Sequence, residues 1–230
     1  MIKIVGTIAF ILWGMVEMTI AQDKMVHLRF EPQYKGHILF QSKSTNQEDL
    51  LKISRFRWYL SNFSLLKEGV VVWSASQKHY YMDAAIDSTM RVDWAIPKNV
   101  DYDALQFNLG IDSVTNTSGA MGGDLDPTKG MYWAWNSGYI NLKLEGTHPL
   151  CPARKHKFQY HLGGYSGKLN SLQRVVLPTS ETSAIVEINL DAFFQAVDIT
   201  RTYQIMSPSE QAVALSQIAA SLFSIQHEKL

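Results

Sequence analysis

The sequence is poor in cysteine, in net charge and in long apolar runs. Cys151 is the one cysteine among 230 residues, so no internal disulfide can form and stability depends on the core. The 21 basic and 21 acidic residues cancel and are mixed along the chain. A nucleic-acid binder needs a basic face that displaces counterions from phosphates, so this balance argues against nucleic acid as a partner.

The sequence also lacks the short motifs of common enzyme classes. It has no G-x-S-x-G nucleophile elbow, no zinc-protease histidine pair, no phosphate-binding glycine loop and no dinucleotide fingerprint. These absences favour a non-catalytic protein. The alternative is a hydrolase built on two carboxylates, for which Asp124 and Asp126 are the candidates.

Long apolar runs are confined to the N-terminus, where a basic residue precedes the stretch from Ile4 to Val16. The pattern is that of a signal peptide cleaved after Ala21. The stretch is shorter than the ~20 residues of a membrane-spanning helix, and Glu17 follows it closely. We therefore expect residues 1–21 to be removed on export, leaving residues 22–230 as a single periplasmic or secreted domain without a membrane span.

The hydrophobic pattern is mostly that of β-strands, because short segments rich in β-branched and aromatic residues are bounded by turn residues. The predicted strands are 26–30, 37–41, 56–66, 70–73, 80–83, 90–94, 105–111, 138–145, 157–163, 172–177 and 184–189. Helices are predicted over 101–104, 191–196 and 209–223, the last capped by Ser207. The set predicts an all-β protein: an immunoglobulin-like or cupredoxin-like β-sandwich with long decorated loops and a short C-terminal helix.

The run from Leu109 to Gly146 combines two unlike chemistries, of which the first is rich in oxygen. Glycines separate its oxygen donors and no apolar periodicity is present, which predicts a flexible loop. The donors are Asp112, Asn116, Asp124 and Asp126. Together with backbone carbonyls they suit a hard cation such as calcium, although the spacing is not that of an EF-hand. The alternative is that they cap turns through local hydrogen bonds.

The second half of the same run is aromatic. Tyr132, Trp133, Trp135 and Tyr139 surround an Asn-Ser-Gly turn ahead of an alternating strand. Exposed rings stack on sugar faces and anchor protein interfaces, so one hypothesis is a metal-free binding module with an aromatic platform for a glycan or protein partner. The alternative is structural: the rings pack together and hold the loop.

Soft or borderline metals favour imidazole and thiolate ligands. The histidines away from the chain ends are His79, His148, His156 and His161, and no two of them have a local ligand spacing. Any such site must therefore be assembled from distant strands. Cys151 leaves three alternatives open: an inert thiol, an intermolecular disulfide or a soft copper ligand.

Three segments carry a family resemblance: the run GIDSxTNxSGAxxGxLDPxxGMYWxWNSGYIxxKLEG over residues 110–146, FQYHLGG over 158–164 and FRWYLSN over 56–62. Together they resemble the MbnP-like family, named for a periplasmic partner of methanobactin copper-chelator systems. The resemblance implies an exported protein that binds copper or hands it on, in copper homeostasis or transfer.

In copper-binding relatives, the resemblance implies an ion held by two histidines and by a kynurenine, which is made by oxidising a tryptophan two residues before a ligand histidine. This chain contains no Trp-x-His, so that site does not carry over intact. His161, within the matching FQYHLGG, and His79 are the candidate copper ligands. The candidates for oxidation are Trp58, Trp133 and Trp135. The partners implied are a di-haem peroxidase or an outer-membrane transport protein.

Overall fold

The computed structural model describes residues 23–40 and 50–226. The predicted signal peptide and its cleavage after Ala21 lie outside the described residues. The described strands are β1 (Asp23–Tyr34), β2 (His37–Ile38), β3 (Lys52–Lys67), β4 (Val70–Ser74), β5 (His79–Asp83), β6 (Arg91–Pro97), β7 (Ala104–Leu109), β8 (Tyr132–Trp133), β9 (Gly138–Thr147), β10 (Lys157–Gly163), β11 (Gln173–Pro178), β12 (Ser183–Asn189), β13 (Gln204–Ile205) and β14 (Phe223–Gln226).

Helices are short and connect the strands. The α-helices are α1 (Ser113–Thr117), α2 (Leu190–Ala196) and α3 (Glu210–Ala220). Single 3₁₀ turns lie at Asp87–Met90, Gly123–Leu125, Pro127–Lys129, Arg154–His156 and Gly167–Leu169. Within the described part of the chain, no helix has the length and apolar character needed to cross a membrane.

The strands form two sheets. In the five-stranded sheet the order is β14-β12-β1, and β6 and β2 pair with β1. In the nine-stranded sheet the order is β11-β7-β3-β9-β10-β13, with β4 and β5 on β3 and β8 on β9. The pairing of β1 with β12 is parallel, whereas β3 pairs antiparallel with each of its neighbours.

The main core lies between the two sheets. Its centre is Phe63 on β3, whose ring lies 6.3 Å from Phe30 on β1, 5.2 Å from Phe107 and 4.8 Å from Trp94 on β6. Edge-to-face and tilted ring pairs of this kind add to the free energy of burying the rings. The contacts join both sheets, which confirms the predicted all-β sandwich with a short C-terminal helix.

A second apolar cluster lies on the opposite face of the nine-stranded sheet, which we call the outer face. Successive side chains of a strand point to opposite faces, so Tyr59 points away from the main core that buries Trp58 and Leu60. Residues 110–137, called the covering segment, pack over this face. The cluster consists of Tyr59, Tyr81, Ile111, Leu125, Met131, Trp133, Tyr139 and Ile140.

The structure corrects several local predictions. No helix forms over 101–104, since Ala104 already begins β7. The C-terminal helix is capped by Ser209, not Ser207: the Ser209 side chain accepts from the Ala212 N–H. This helix ends at Ala220, because the following residues pair with β12 as β14. The oxygen-rich run is more ordered than predicted, since it includes α1 and two 3₁₀ turns.

Candidate functional site

The first two oxygen donors of the covering segment hold α1 in place. The Asp112 carboxylate caps α1, with Oδ1 2.8 Å from the Thr115 N–H and Oδ2 3.2 Å from the Thr115 hydroxyl. Asn116 is buried; its amide donates to the Ile111 and Asp112 carbonyls, and its Oδ1 accepts from the Tyr139 N–H at 2.8 Å. Asn116 therefore ties α1 to β9.

The other two donors also make local contacts. Asp124 pairs with Lys129 at 2.8 Å and accepts from the Gln77 amide at 3.3 Å. Asp126 accepts from the N–H and hydroxyl of Thr128, and these bonds hold the pKa of Asp126 below its usual range. Asp112 and Asp126 thus cap turns, whereas Asn116 bonds to the backbone of other segments and Asp124 bonds to side chains. Over residues 23–40 and 50–226, no group of three or more His, Cys, Asp or Glu side chains is placed to hold a metal ion.

His79 meets the covering segment at the start of β5. Its half-buried imidazole places Nε2 3.3 Å from Oγ1 of Thr115. Burial lowers the pKa of His79, while the nearby carboxylates of Asp112 and Asp124 act in the opposite direction. The sequence treats His79 and the oxygen-rich run as separate candidate sites, and the structure brings them together.

His161 lies buried on β10 and is oriented by a carboxylate. Its Nε2 donates to Oε1 of Glu145 at 2.6 Å, and Oε2 of Glu145 accepts from Arg55 at 2.8 Å. Burial lowers the pKa of His161, which Glu145 opposes and the charges of Lys143 and Arg55 reinforce. Burial alone raises the pKa of Glu145, but its bond with His161 and the Arg55 charge outweigh that effect, so the pKa lies below the usual range.

His161 ends a row of polar side chains that crosses the outer face. Asp83, Arg57, Lys143 and His161 occupy paired positions on β5, β3, β9 and β10. Arg57 Nε lies 2.7 Å from Oδ2 of Asp83, which also accepts from the Tyr81 hydroxyl at 3.0 Å. Asp83 and Lys143 are buried although both are ionisable.

Two cations of this row hold the covering segment at residues 129–130. Arg57 donates to the carbonyl of Lys129 at 3.1 Å, and Lys143 Nζ donates to the carbonyl of Gly130. Sequence reasoning missed both residues as well as Glu145. The alternation of β9 identifies one apolar and one polar face, but no local signal shows that a distant segment covers the polar face.

His79 and His161 do not converge on one ion. His79 pairs with Ser61, four positions along β3 from Arg57, and β5 and β10 are separated by three strand spacings. Strand geometry then places the two histidines roughly 20 Å apart. A site that uses both imidazoles together is therefore not present.

The aromatic candidates differ in how much of each side chain is exposed to solvent. Trp58 is fully buried in the main core, and its Nε1 has no hydrogen-bond partner within the described residues. Trp133 and Tyr139 are buried in the second cluster, and Tyr132 packs against it. Trp135 is 66% exposed, with its ring 5.9 Å from that of Trp133. The expectation of four exposed rings is thus wrong for Trp133 and Tyr139, because the covering segment folds back onto the sheet.

The free thiol of Cys151 is buried and its Sγ donates to the carbonyl of Lys157 at 3.1 Å. Burial of this kind agrees with the inert-thiol alternative, since an intermolecular disulfide needs an accessible sulfur.

Comparisons with known proteins agree with this architecture. A family model described as MbnP matches residues 23–207. The solved structure of MbnP from Methylosinus trichosporium is similar, with a TM-score of 0.57 and 16% sequence identity over 78% of this chain and 80% of that chain. At this identity the structural likeness shows a shared fold. No curated protein matches the sequence.

Proposed function

The chain belongs to the MbnP family, a family associated with methanobactin and copper handling, and from this premise we propose that it is an exported, non-catalytic protein that binds copper and hands it on. The observation in the structure that supports a copper contact is the position of His79. A half-buried imidazole lies beside two carboxylates there, at the edge of the covering segment.

Exposure and nearby charges favour His79 over His161 as the first contact of a copper ion, since His79 is half-buried and His161 is buried. A metal cation responds to the same fixed charges as a proton does. At His79 the attraction of Asp112 and Asp124 is opposed by Lys78, whereas at His161 the attraction of Glu145 is opposed by Lys143 and Arg55. The Nε2 of His161 is moreover already bonded to Glu145. The lowered pKa of His79 keeps the imidazole neutral near pH 7, which is the form that binds a metal.

The donors present fit copper only in part. His79 would supply the imidazole nitrogen, and Asp112 and Asp124 would supply oxygen donors after giving up contacts with Thr115 and Lys129. Such an open, incomplete set of donors suits an ion that is taken up and released, not one enclosed permanently.

The same proposal includes the partner implied by the family resemblance. If a di-haem peroxidase oxidises a tryptophan of this protein, Trp135 is the accessible target, because Trp58 and Trp133 are buried. The intact mass of the protein purified from its native host, read together with its copper content, tests this step.

Copper titration of single variants tests the proposed contact. We expect His79→Ala to weaken Cu(II) binding at least about tenfold in a chelator competition assay, since it removes the imidazole. His161→Ala and the exposed His37→Ala are the matched controls and should leave the affinity unchanged. Copper binding that is absent in the unsubstituted protein, or equal in all three variants, would contradict the proposal.

A second candidate function rests on the exposure of Trp135. Its indole is the exposed member of the aromatic group and adjoins the ring of Trp133, an arrangement that fits a glycan or a protein partner. Trp135→Ala should then abolish binding on a glycan array while Cu(II) affinity stays the same. Glycan binding that persists in Trp135→Ala, or a loss of Cu(II) affinity in this variant, would remove this candidate.

A further inference from the structure

Strand β4 leaves one side of its backbone unpaired at the edge of the nine-stranded sheet. Within the described residues, β4 pairs only with β3. Val70, Val71 and Val72 are 66%, 50% and 42% exposed, so successive side chains on both faces of the strand meet solvent. An unpaired apolar edge of this kind is a ready template for another strand.

Two other edge strands, β6 and β11, carry features that block pairing, and β4 does not. β6 presents Arg91 and Asp93 and ends at Pro97, and β11 has Pro178 at its end. Charges and prolines are the usual means by which natural proteins protect such edges. Residues 69–76, by contrast, contain no charged residue and no proline.

The β4 edge is held in a fixed conformation before any partner arrives. The turn from β3 uses Glu68 and Gly69, both with positive φ, as a tight hairpin turn requires. The Glu68 N–H donates to the Asp103 carboxylate at 2.9 Å, which fixes this turn. At the other end, the Trp73 ring packs 5.5 Å from that of Trp94. A preformed edge loses little conformational entropy on pairing.

We propose that β4 pairs antiparallel with β4 of a second copy of this chain, about a two-fold axis. The same strand of each copy forms this contact, as an isologous interface requires, and the free backbone groups of both edges are paired at once. Exposed Glu68 and Lys78 flank the uncharged stretch at opposite ends, and neither forms an ion pair within the described residues. Antiparallel pairing brings the Glu68 end of each copy to the Lys78 end of the other. A parallel arrangement would place like charges together.

Analytical ultracentrifugation of the purified protein over about a hundredfold range of concentration tests the proposal. We expect the apparent mass to rise from that of one chain to that of two. Val71→Lys should abolish this rise, because it places a charge on the paired edge. Val114→Lys makes the same change at a 77% exposed valine on α1 and should leave the rise intact.

A charge exchange distinguishes antiparallel self-pairing from general stickiness. Glu68→Lys should weaken the dimer, and Glu68→Lys combined with Lys78→Glu should restore it. Circular dichroism checks that each variant is folded. A single-chain mass at every concentration would overturn the proposal, as would equal losses in Val71→Lys and Val114→Lys. If the protein does not self-associate but binds a peptide spanning residues 69–75, the β4 edge pairs with a strand of another protein. That result would overturn the proposal of self-pairing.

Discussion

The hydrogen bond between His161 and Glu145 links the stability of the protein to pH. Both side chains lie largely out of solvent, with 8% and 15% of their surfaces exposed. The neutral imidazole donates from Nε2 and the ionised carboxylate accepts, so each ring nitrogen has a defined role. The carboxylate also fixes the orientation of the ring, as carboxylates do for metal-bound histidines in other proteins.

Acidification should destabilise the protein, and the sign follows from the pKa shifts. Below the ordinary histidine value of 6.5, the unfolded chain binds a proton that buried His161 still excludes, because its folded pKa is lowered. Glu145 acts in the same direction below 4.5, since its folded pKa is also lowered. We therefore expect the free energy of unfolding to be highest above 6.5 and to fall as the pH decreases.

Denaturant unfolding between about pH 5 and 7 measures this effect. His79, whose pKa is also lowered, contributes in the same direction, and each histidine contributes at most about 1.4 kcal/mol per pH unit. His161→Gln keeps an amide donor near Glu145 and should make the pH dependence shallower, leaving the contribution of His79. The exposed His37→Gln is the control and should leave it unchanged. An identical slope in His161→Gln and the unsubstituted protein would show that another group is responsible.

At the scale of elements, the covering segment is held down by cations from the sheet beneath it. Lys143 and Arg57 project from β9 and β3 and donate to consecutive carbonyls, those of Gly130 and Lys129. Asn116 holds the other part of the segment through the Tyr139 N–H. The segment that carries the candidate copper contacts is thus fixed at two places.

Lys143→Met should release the covering segment at one of these two places, while the methionine side chain keeps an apolar stem on β9. The carbonyl of Gly130 then loses a hydrogen bond from a charged donor, a contact that contributes about 1.5–3 kcal/mol. We expect faster hydrogen exchange over residues 119–131, with β3 and β7 still protected. Lys157→Met, an exposed lysine on β10, is the control. Uniformly faster exchange throughout the protein would show that Lys143 supports the whole sheet instead.

Across the whole molecule, one sheet separates two apolar clusters. β3 contributes to both, because Trp58 and Leu60 face the main core and Tyr59 faces the covering segment. If β3 unfolds, both clusters lose the apolar side chains that this strand contributes. The two clusters should therefore unfold together.

Phe63→Ala tests this coupling from the main core. The ring is fully buried among Phe30, Trp94 and Phe107, so its removal leaves a cavity and should cost about 3–5 kcal/mol. Tryptophan fluorescence and circular dichroism should still report one denaturant transition, shifted by the same amount. Two separate transitions would show that the covering segment unfolds independently of the main core.

The sequence by itself determined the strand content, the sandwich class and the family. Alternation along β3, β6 and β9 reports which side of each strand is apolar, and local residues suffice to read it. The motif over residues 110–146 is equally local. The cap of α3 was misplaced by two residues, because Ser207 and Ser209 both satisfy the local pattern and only the backbone conformation distinguishes them.

Tertiary structure alone decided what covers the outer face of the nine-stranded sheet. Lys143 and Glu145 occupy the polar side of an alternating strand, yet Lys143 is buried beneath the covering segment and Glu145 is half-buried. The parallel pairing of β1 with β12 and the approach of Thr115 to His79 likewise join residues far apart in the chain. Periodicity records whether one side of a strand is apolar, whereas contacts between distant segments depend on how the complete chain packs.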